Sequence, residues 1–462
     1  MSYNATNVTV MEVAIMKFFG RDYELDILNT IYMQCKSSYG KITVITGRRR
    51  IGKTLLAKEY AKDKDSVYLF TSRKTEKLLC EEYLPLYEQL TGEPYIGSIE
   101  RFSEIFELFM KYGITKPFVL IVDEFQEYAH ISPSVFSEIQ NIWDSYKFRT
   151  HVHILFIGSI YSMMVNIFQN EKEPLFGRAD RILYLKPFSI FTIKEVLEVY
   201  DAYTVNNLFI YYLITGGVPR YMEILLENTC FTQEMVLDHI LSKDSFFLEE
   251  GKNLLIQEFG KEYGIYFSIL ELIASGKTSR QEIESVITKS IGGHLQRLED
   301  EYDIVRKVRP IGAKKDSRNQ KYQIKDHFMR FWFRFIYKNF SQIENERFTY
   351  VIKLIHRDLP TYSGHTLGRL FLDIYSRSSD YSVIGTYWER GNKNEIDLVA
   401  IDDFHRTISI AEIKLNKEKI SIQKLQKKAE GLLKPYSNYE IQYEALSMED
   451  IEDKMEEYTD PS

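Results

Sequence analysis

Eight residues constrain this chain more than any others: Gly47-Arg48-Arg49-Arg50-Ile51-Gly52-Lys53-Thr54, set between the apolar run 42–46 and the helical stretch LLAKEYA that opens at Leu55. A strand that gives way to a helix through G-x-x-x-x-G-K-[ST] is the context in which this pattern wraps a phosphate group. Glycine lets the backbone come close to the phosphate, whose charge is met by loop N–H groups and by the helix N-terminus. Lys53 is then placed to bridge the β- and γ-phosphates, and the Thr54 hydroxyl to be a ligand of Mg²⁺. Residues 47–55 form the candidate cradle of a nucleoside triphosphate.

The surrounding sequence reads as α/β. Apolar runs at 42–46, 67–70, 118–122, 153–157 and 181–185 alternate with amphipathic helices. Short continuous apolar runs of this kind predict a parallel sheet covered on both faces. The third run ends in Asp123-Glu124. Asp123 is expected to hold Mg²⁺ through water, and Glu124 to orient and polarise the attacking water. Beside a phosphate loop, a consecutive Asp-Glu favours hydrolysis over binding alone.

Composition narrows the class further. The chain has 462 residues with a formal charge of -7, too acidic for a uniformly basic nucleic-acid coat, so any such contact must come from a local patch. Three cysteines, Cys35, Cys80 and Cys230, lie far apart without metal-ligand spacing, the pattern of a reducing compartment. No apolar run reaches the roughly 18–20 residues that cross a bilayer, and the N-terminus lacks a basic start before an apolar core. The expectation is a cytoplasmic protein with no membrane partner. Its units are expected at 1–17 (a polar extension), 18–187 (the phosphate-binding domain), 188–256 (a helical lid), 257–327, 328–345 (an aromatic connecting helix), 346–440, and an acidic tail at 441–462.

The motifs FFGRDYELDIL (18–28), TGRRRIGKT (46–54), LIVDEFQE (120–127), FIGSIYSMM (156–164), PLFGRAD (174–180), GGVPRYM (216–222) and FWFRF (331–335) occur in this order. In them the chain resembles the prokaryotic "archaeal ATPase" family, P-loop ATPases related to AAA+ and STAND proteins, from Phe18 to about Ala400. The resemblance implies ATP and Mg²⁺ as ligands, a start at Met16, and the associated C-terminal domain of unknown function. It places adenine near Gly20 and Arg21, although Arg21 also suits a surface charge at a helix start. Ser159 would be a polar sensor of the γ-phosphate, or a simple Gly-Ser turn. Arg178 would be an arginine finger reaching a neighbouring subunit, making a homo-oligomer necessary; acting in cis, or pairing only with Asp180, it leaves a monomer sufficient. Arg220 resembles the lid arginine that senses nucleotide state.

Two further segments carry candidate chemistry. Residues 257–327 resemble a winged helix: three helices, then a hairpin whose polar turn makes the region Arg306–Lys321 strongly basic. Such a patch suits the phosphates of duplex DNA. Arg280, His294, Arg297, Lys314, Lys315 and Arg318 are the expected contacts, with Ser279 and Gln296 beside them. The acids Glu299, Asp300 and Glu301 oppose that reading, and winged helices also bind proteins. Near the end, Asp397 precedes Glu412-Ile413-Lys414 in the form D-(x)n-E-x-K of PD-(D/E)XK nucleases, which the family's C-terminal domain is thought to resemble. In a strand, Glu412 and Lys414 share a face, so Asp397 and Glu412 could bind Mg²⁺ while Lys414 orients water. Relatives place a Glu in the preceding helix, where this chain has Asp373 one residue out of register. The reading is an ATPase whose nucleotide state controls a DNA-binding winged helix and a nuclease-like domain. The alternatives are a STAND-like signalling switch with protein partners, or a metal-dependent DNA nuclease.

Overall fold

A computed structural model describes residues 18–259, 263–314, 317 and 319–458. Five strands, β1 (Lys41–Thr46), β2 (Ser66–Phe70), β3 (Phe118–Asp123), β4 (Val152–Gly158) and β5 (Arg181–Tyr184), build one parallel sheet in the order β2-β3-β4-β1-β5. Alternation along each strand divides its side chains between two cores. Ile45, Ile121, Leu155 and Ile157 face Leu28, Leu56 and Tyr60. Val44, Leu120, Ile154 and Phe156 face Phe102, Phe106, Phe109 and Trp143. Crossovers join β1 to β5 in turn and all five strands are parallel, so their C-terminal ends open on one edge. Inserting β4 between β1 and β3 brings its final residues between the phosphate loop and the acidic pair.

Helices dominate from Ile190 to Phe259. The helix Val205–Thr215 is buried along its length from Leu208 onward, because other helices enclose it on all sides. Helices Tyr263–Ala274, Arg280–Ile287 and Gly292–Asp300 follow, then the antiparallel hairpin β6 (Val305–Val308) and β7 (Lys321–Ile324). The expected aromatic helix is interrupted: His327–Phe331 is α-helical, Trp332–Ile336 widens into a π turn, and Tyr337–Asn339 tightens to 3-10. Its rings are buried, and the Trp332 indole N–H donates to the Leu248 carbonyl at 2.9 Å.

The 28-residue helix Phe348–Tyr375 leads into a second sheet. Strands β8 (Val383–Glu389), β9 (Lys393–Asp402), β10 (Thr407–Ile413) and β11 (Glu440–Leu446) lie in the order β11-β10-β9-β8, with only β10 and β11 parallel. The expected boundary at 440 therefore cuts into β11. The expected acidic tail is folded as far as Tyr458: helix Ile451–Glu457 buries Ile451 and Met455, and its acids occupy the outer face. The expected extension 1–17, with Met16, lies outside the described residues. No helix among the described residues is long and apolar enough to cross a membrane.

Candidate functional site

The phosphate loop takes its shape from positive φ angles at Gly47, Arg50 and Gly52. A Cβ on Gly47 would stand 2.6 Å from the Leu185 carbonyl oxygen, so no other residue fits there without displacing backbone. Lys53 begins the following helix and is buried. Its ammonium donates to the Gly47 and Arg48 carbonyls, both at 2.8 Å. Burial lowers its pKa to about 8 despite the pull of Glu124 and Asp123. The lysine is folded back on its own loop.

The two halves of the site meet. The Thr54 hydroxyl donates to Asp123 Oδ2 at 2.6 Å, Tyr68 donates to the same oxygen at 2.8 Å, and the Glu124 N–H donates to Oδ1 at 2.8 Å. The Ser159 hydroxyl lies 3.0 and 2.7 Å from the two Glu124 carboxylate oxygens, and the Gln126 amide donates to Oε2. Ser159 thus ties β4 to the acid that ends β3. Thr54 and Asp123 are hard oxygen donors in contact, which suits Mg²⁺, an ion that completes its shell with water and phosphate oxygens. Among the described residues no three His, Cys, Asp or Glu side chains are grouped so as to hold a metal ion. A pocket of about 370 Å³, lined by Arg49, Arg73, Glu124 and Glu127 among others, opens beside this constellation.

The other expected contacts are placed differently. Arg21 is buried, and its guanidinium donates to the Ile51 carbonyl at 3.2 Å and the Lys186 carbonyl at 2.8 Å, over the Phe188 ring. It braces the phosphate loop and is no surface charge. Gly20 packs on Thr192. The Arg220 side chain pairs with Glu223, and only its backbone N–H reaches the loop, at 3.4 Å from the Arg50 carbonyl. Arg178 donates to Asp144 at 3.0 Å and to the Phe176 carbonyl at 2.9 Å. The expected alternative partner, Asp180, is instead engaged by Lys41 and the Ile42 N–H, because it sits where β5 starts beside β1. Leu55 is half exposed on the helix.

Sequence reasoning missed the acids that face the three loop arginines. Arg48 is ion-paired with Asp326; Arg50 donates to buried Glu250 at 3.2 Å, which also accepts from Tyr221 at 3.1 Å. Burial pushes the Glu258 carboxyl up to about 7, against the pull of Arg48 and Arg49, and this acid accepts from the Tyr161 N–H and Ser162 hydroxyl. These partners lie some 200 to 280 residues downstream. Nothing in a local pattern marks them.

A second cluster forms on the C-terminal sheet. Lys414 lies 3.7 Å from Asp397 and 3.1 Å from Glu412, and the Ile413 N–H donates to Asp397 at 2.9 Å. Lys428, which no motif marks, donates to Glu412 at 2.6 Å. Burial pushes the Asp397 carboxyl up; for Glu412 burial pushes the same way, but Lys428 and Lys414 outweigh it and hold that carboxyl low. Asp373 is not in this cluster: it accepts from the Tyr212 hydroxyl, on the lid helix.

The basic hairpin is largely engaged within the molecule. Arg306 is hydrogen-bonded to Gln323 and Lys307 pairs with Glu299; Lys321 pairs with Glu395 at 2.7 Å. Arg280 is held by Glu284 at 2.8 Å, Arg297 reaches the Tyr266 hydroxyl, and the His294 ring packs edge-on against Tyr266. Lys314 is exposed. Lys315 and Arg318 lie outside the described residues.

A parallel sheet with a phosphate loop after β1, an acidic pair after β3 and a serine after the intervening β4 defines a P-loop ATPase. Residues 18–225 match the family described as an ATPase domain predominantly from Archaea, and residues 332–428 match one described as Archaea bacterial proteins of unknown function. The chain is 29% identical, over 86% of its length and 87% of the relative's, to an uncharacterised protein of Methanocaldococcus jannaschii. Among solved structures it is similar to the Walker-type ATPase of Pyrococcus abyssi, with a TM-score of 0.53 at 18% identity over 68% of this chain and 96% of that one. It also matches the ORC2 protein of Aeropyrum pernix in ADPNP–ADP complexes, with a TM-score of 0.48 at 16% identity over 72% and 95% of the two chains.

Proposed function

We propose that this protein hydrolyses ATP with Mg²⁺ and that nucleotide state governs the C-terminal half. The observation that carries the reading is the 2.6 Å contact between Thr54 and Asp123, which joins the phosphate loop to the acidic strand end. Mg²⁺ bound there by Thr54 and Asp123 would offset phosphate charge. Lys53 leaves the loop carbonyls to meet the phosphates. Glu124, released by Ser159 or Gln126, accepts the proton of the attacking water. Ser159 and Gln126 together engage both carboxylate oxygens of Glu124, so these contacts compete with the attacking water for the acid. Lys53→Ala is expected to abolish ATP binding, and Glu124→Gln to retain it while slowing turnover by about 100-fold or more. Wild-type turnover rates in both variants would overturn the assignment.

DNA control is the finer part of the proposal. Three helices followed by a hairpin are the element order of a winged helix, and exposed Lys314 and Arg309 remain available to phosphates. Asp397, Glu412 and Lys414 converge as the D…E-x-K form requires, which supports a nuclease-like role for that domain. ATP turnover is expected to change on adding duplex DNA, with salt-dependent retention weakened by Lys314→Ala. One observation favours a second reading, the signalling switch: Arg306, Lys307 and Lys321 are spent on internal partners. Turnover unmoved by DNA, with no retention at low salt, would select the switch.

A further inference from the structure

One short strand touches both candidate sites. Two residues past the end of β7, Asp326 forms the ion pair with Arg48 of the phosphate loop, where the acid is 7% exposed. Asp326 also caps the helix His327–Phe331, accepting from the Met329 N–H at 2.6 Å. At the start of β7, Lys321 pairs with Glu395 and lies over the Trp388 ring, 4.4 Å from its centre. The Trp388 indole N–H donates to Asn319 at 2.9 Å, and the Ile311 N–H donates to the Thr386 carbonyl at 3.0 Å, so the hairpin is fastened to β8 and β9. Glu395 and Asp397 are two residues apart on β9 and project on one face. Lys321 and Asp326 are five positions apart, a span of at most roughly 16 Å.

We propose that Asp326 and Lys321 are positioning residues at the two ends of a strut, and that phosphates on the loop and a ligand on the Asp397–Glu412–Lys414 cluster each loosen the other's end. The inference rests on the ATPase reading above. Phosphates compete with Asp326 for Arg48; with that pair broken, the end of β7 loses one of its anchors and keeps the bonds from Arg369 to the Ile324 and Lys325 carbonyls at 3.1 and 2.7 Å. A phosphodiester competes with Glu395 for Lys321 and releases the same strand from the opposite end. Both ligands therefore favour the released state, and each must strengthen the other's binding by the same factor.

The experiment is equilibrium binding of a fluorescent ATP analogue to the full chain, for wild type, Asp326→Asn, Lys321→Gln, Glu395→Gln and the Asp326→Asn/Lys321→Gln pair, each checked by thermal unfolding. Asp326→Asn is expected to tighten binding by about tenfold, within the range typical of coupling between two sites. Lys321→Gln and Glu395→Gln, which touch no loop residue, are expected to tighten it several-fold, and the pair no further than Asp326→Asn alone. Wild-type affinity in both distal variants, or strictly additive effects, would overturn the strut. Failure of wild type to bind the analogue would instead overturn the ATPase reading itself.

Discussion

At the scale of single residues, the phosphate site trades stability for chemistry. A buried ammonium with lowered pKa is less favourable in the folded chain than in water, so Lys53 costs stability. The sign follows from its two pKa values: above about 10.5 the lysine is neutral in both states and costs nothing, and the cost is complete below about 8. Near pH 7 it amounts to roughly 3 kcal/mol at 1.36 kcal/mol per unit, partly offset by the two carbonyl hydrogen bonds. Lys53→Met is therefore expected to raise stability by about 1–3 kcal/mol at pH 7. The gain should shrink toward pH 10, and ATP should no longer raise the unfolding temperature. A lower midpoint in denaturant than wild type would contradict this account. Lys53, Thr54, Asp123 and Glu124 were legible because strand, turn and helix give local context. Arg21 was not, because its partners are carbonyls at Ile51 and Lys186, and carbonyls carry no sequence signature.

At the scale of elements, alternation and period served well where one face is buried. The five apolar runs became the five strands, and the three helices after Tyr263 fall where apolar spacing places them. The aromatic stretch shows the limit. In FWFRFI only Arg334 is polar, so period defines the buried face poorly, and the chain widens into a π turn that packs Trp332 on Leu248 and Gly251. The lid joins the sheet through a tighter contact. Gly217 has φ of 78° and lies so close to Phe188 that a Cβ would stand 2.2 Å from the Phe188 carbonyl oxygen. The Phe188 N–H in turn donates to the Gly217 carbonyl at 2.8 Å. Gly217→Ala is expected to destabilise the chain by more than about 1 kcal/mol and to weaken ATP binding through Phe188 and Arg21. Unchanged thermal unfolding and affinity would show that this joint is slack.

At the scale of the whole molecule, a question of assembly arises. Arg178 is held by Asp144 and the Phe176 carbonyl of its own chain. Turnover per chain is expected to stay constant as protein concentration rises, and Arg178→Ala to lower it by less than about threefold, as for the loss of one surface ion pair. A steep rise with concentration that Arg178→Ala removes would assign the arginine to a neighbouring copy. The cluster of Asp397, Glu412 and Lys414 was readable because one strand carries two of its members. Lys428 was not, since only the packing of helix Ile422–Leu433 over β10 delivers it to Glu412.

The distance in sequence between Arg48 and Asp326 has a consequence for how the molecule is born. The phosphate loop leaves the ribosome some 280 residues ahead of the acid that will clasp it. At about 5–20 residues per second, that leaves an interval of tens of seconds in which the nascent N-terminal domain can fold around a nucleotide before its restraint has been synthesised. A nucleotide captured in that interval would be present when the later acids arrive, so a newly made molecule would enter its cycle from the loaded side.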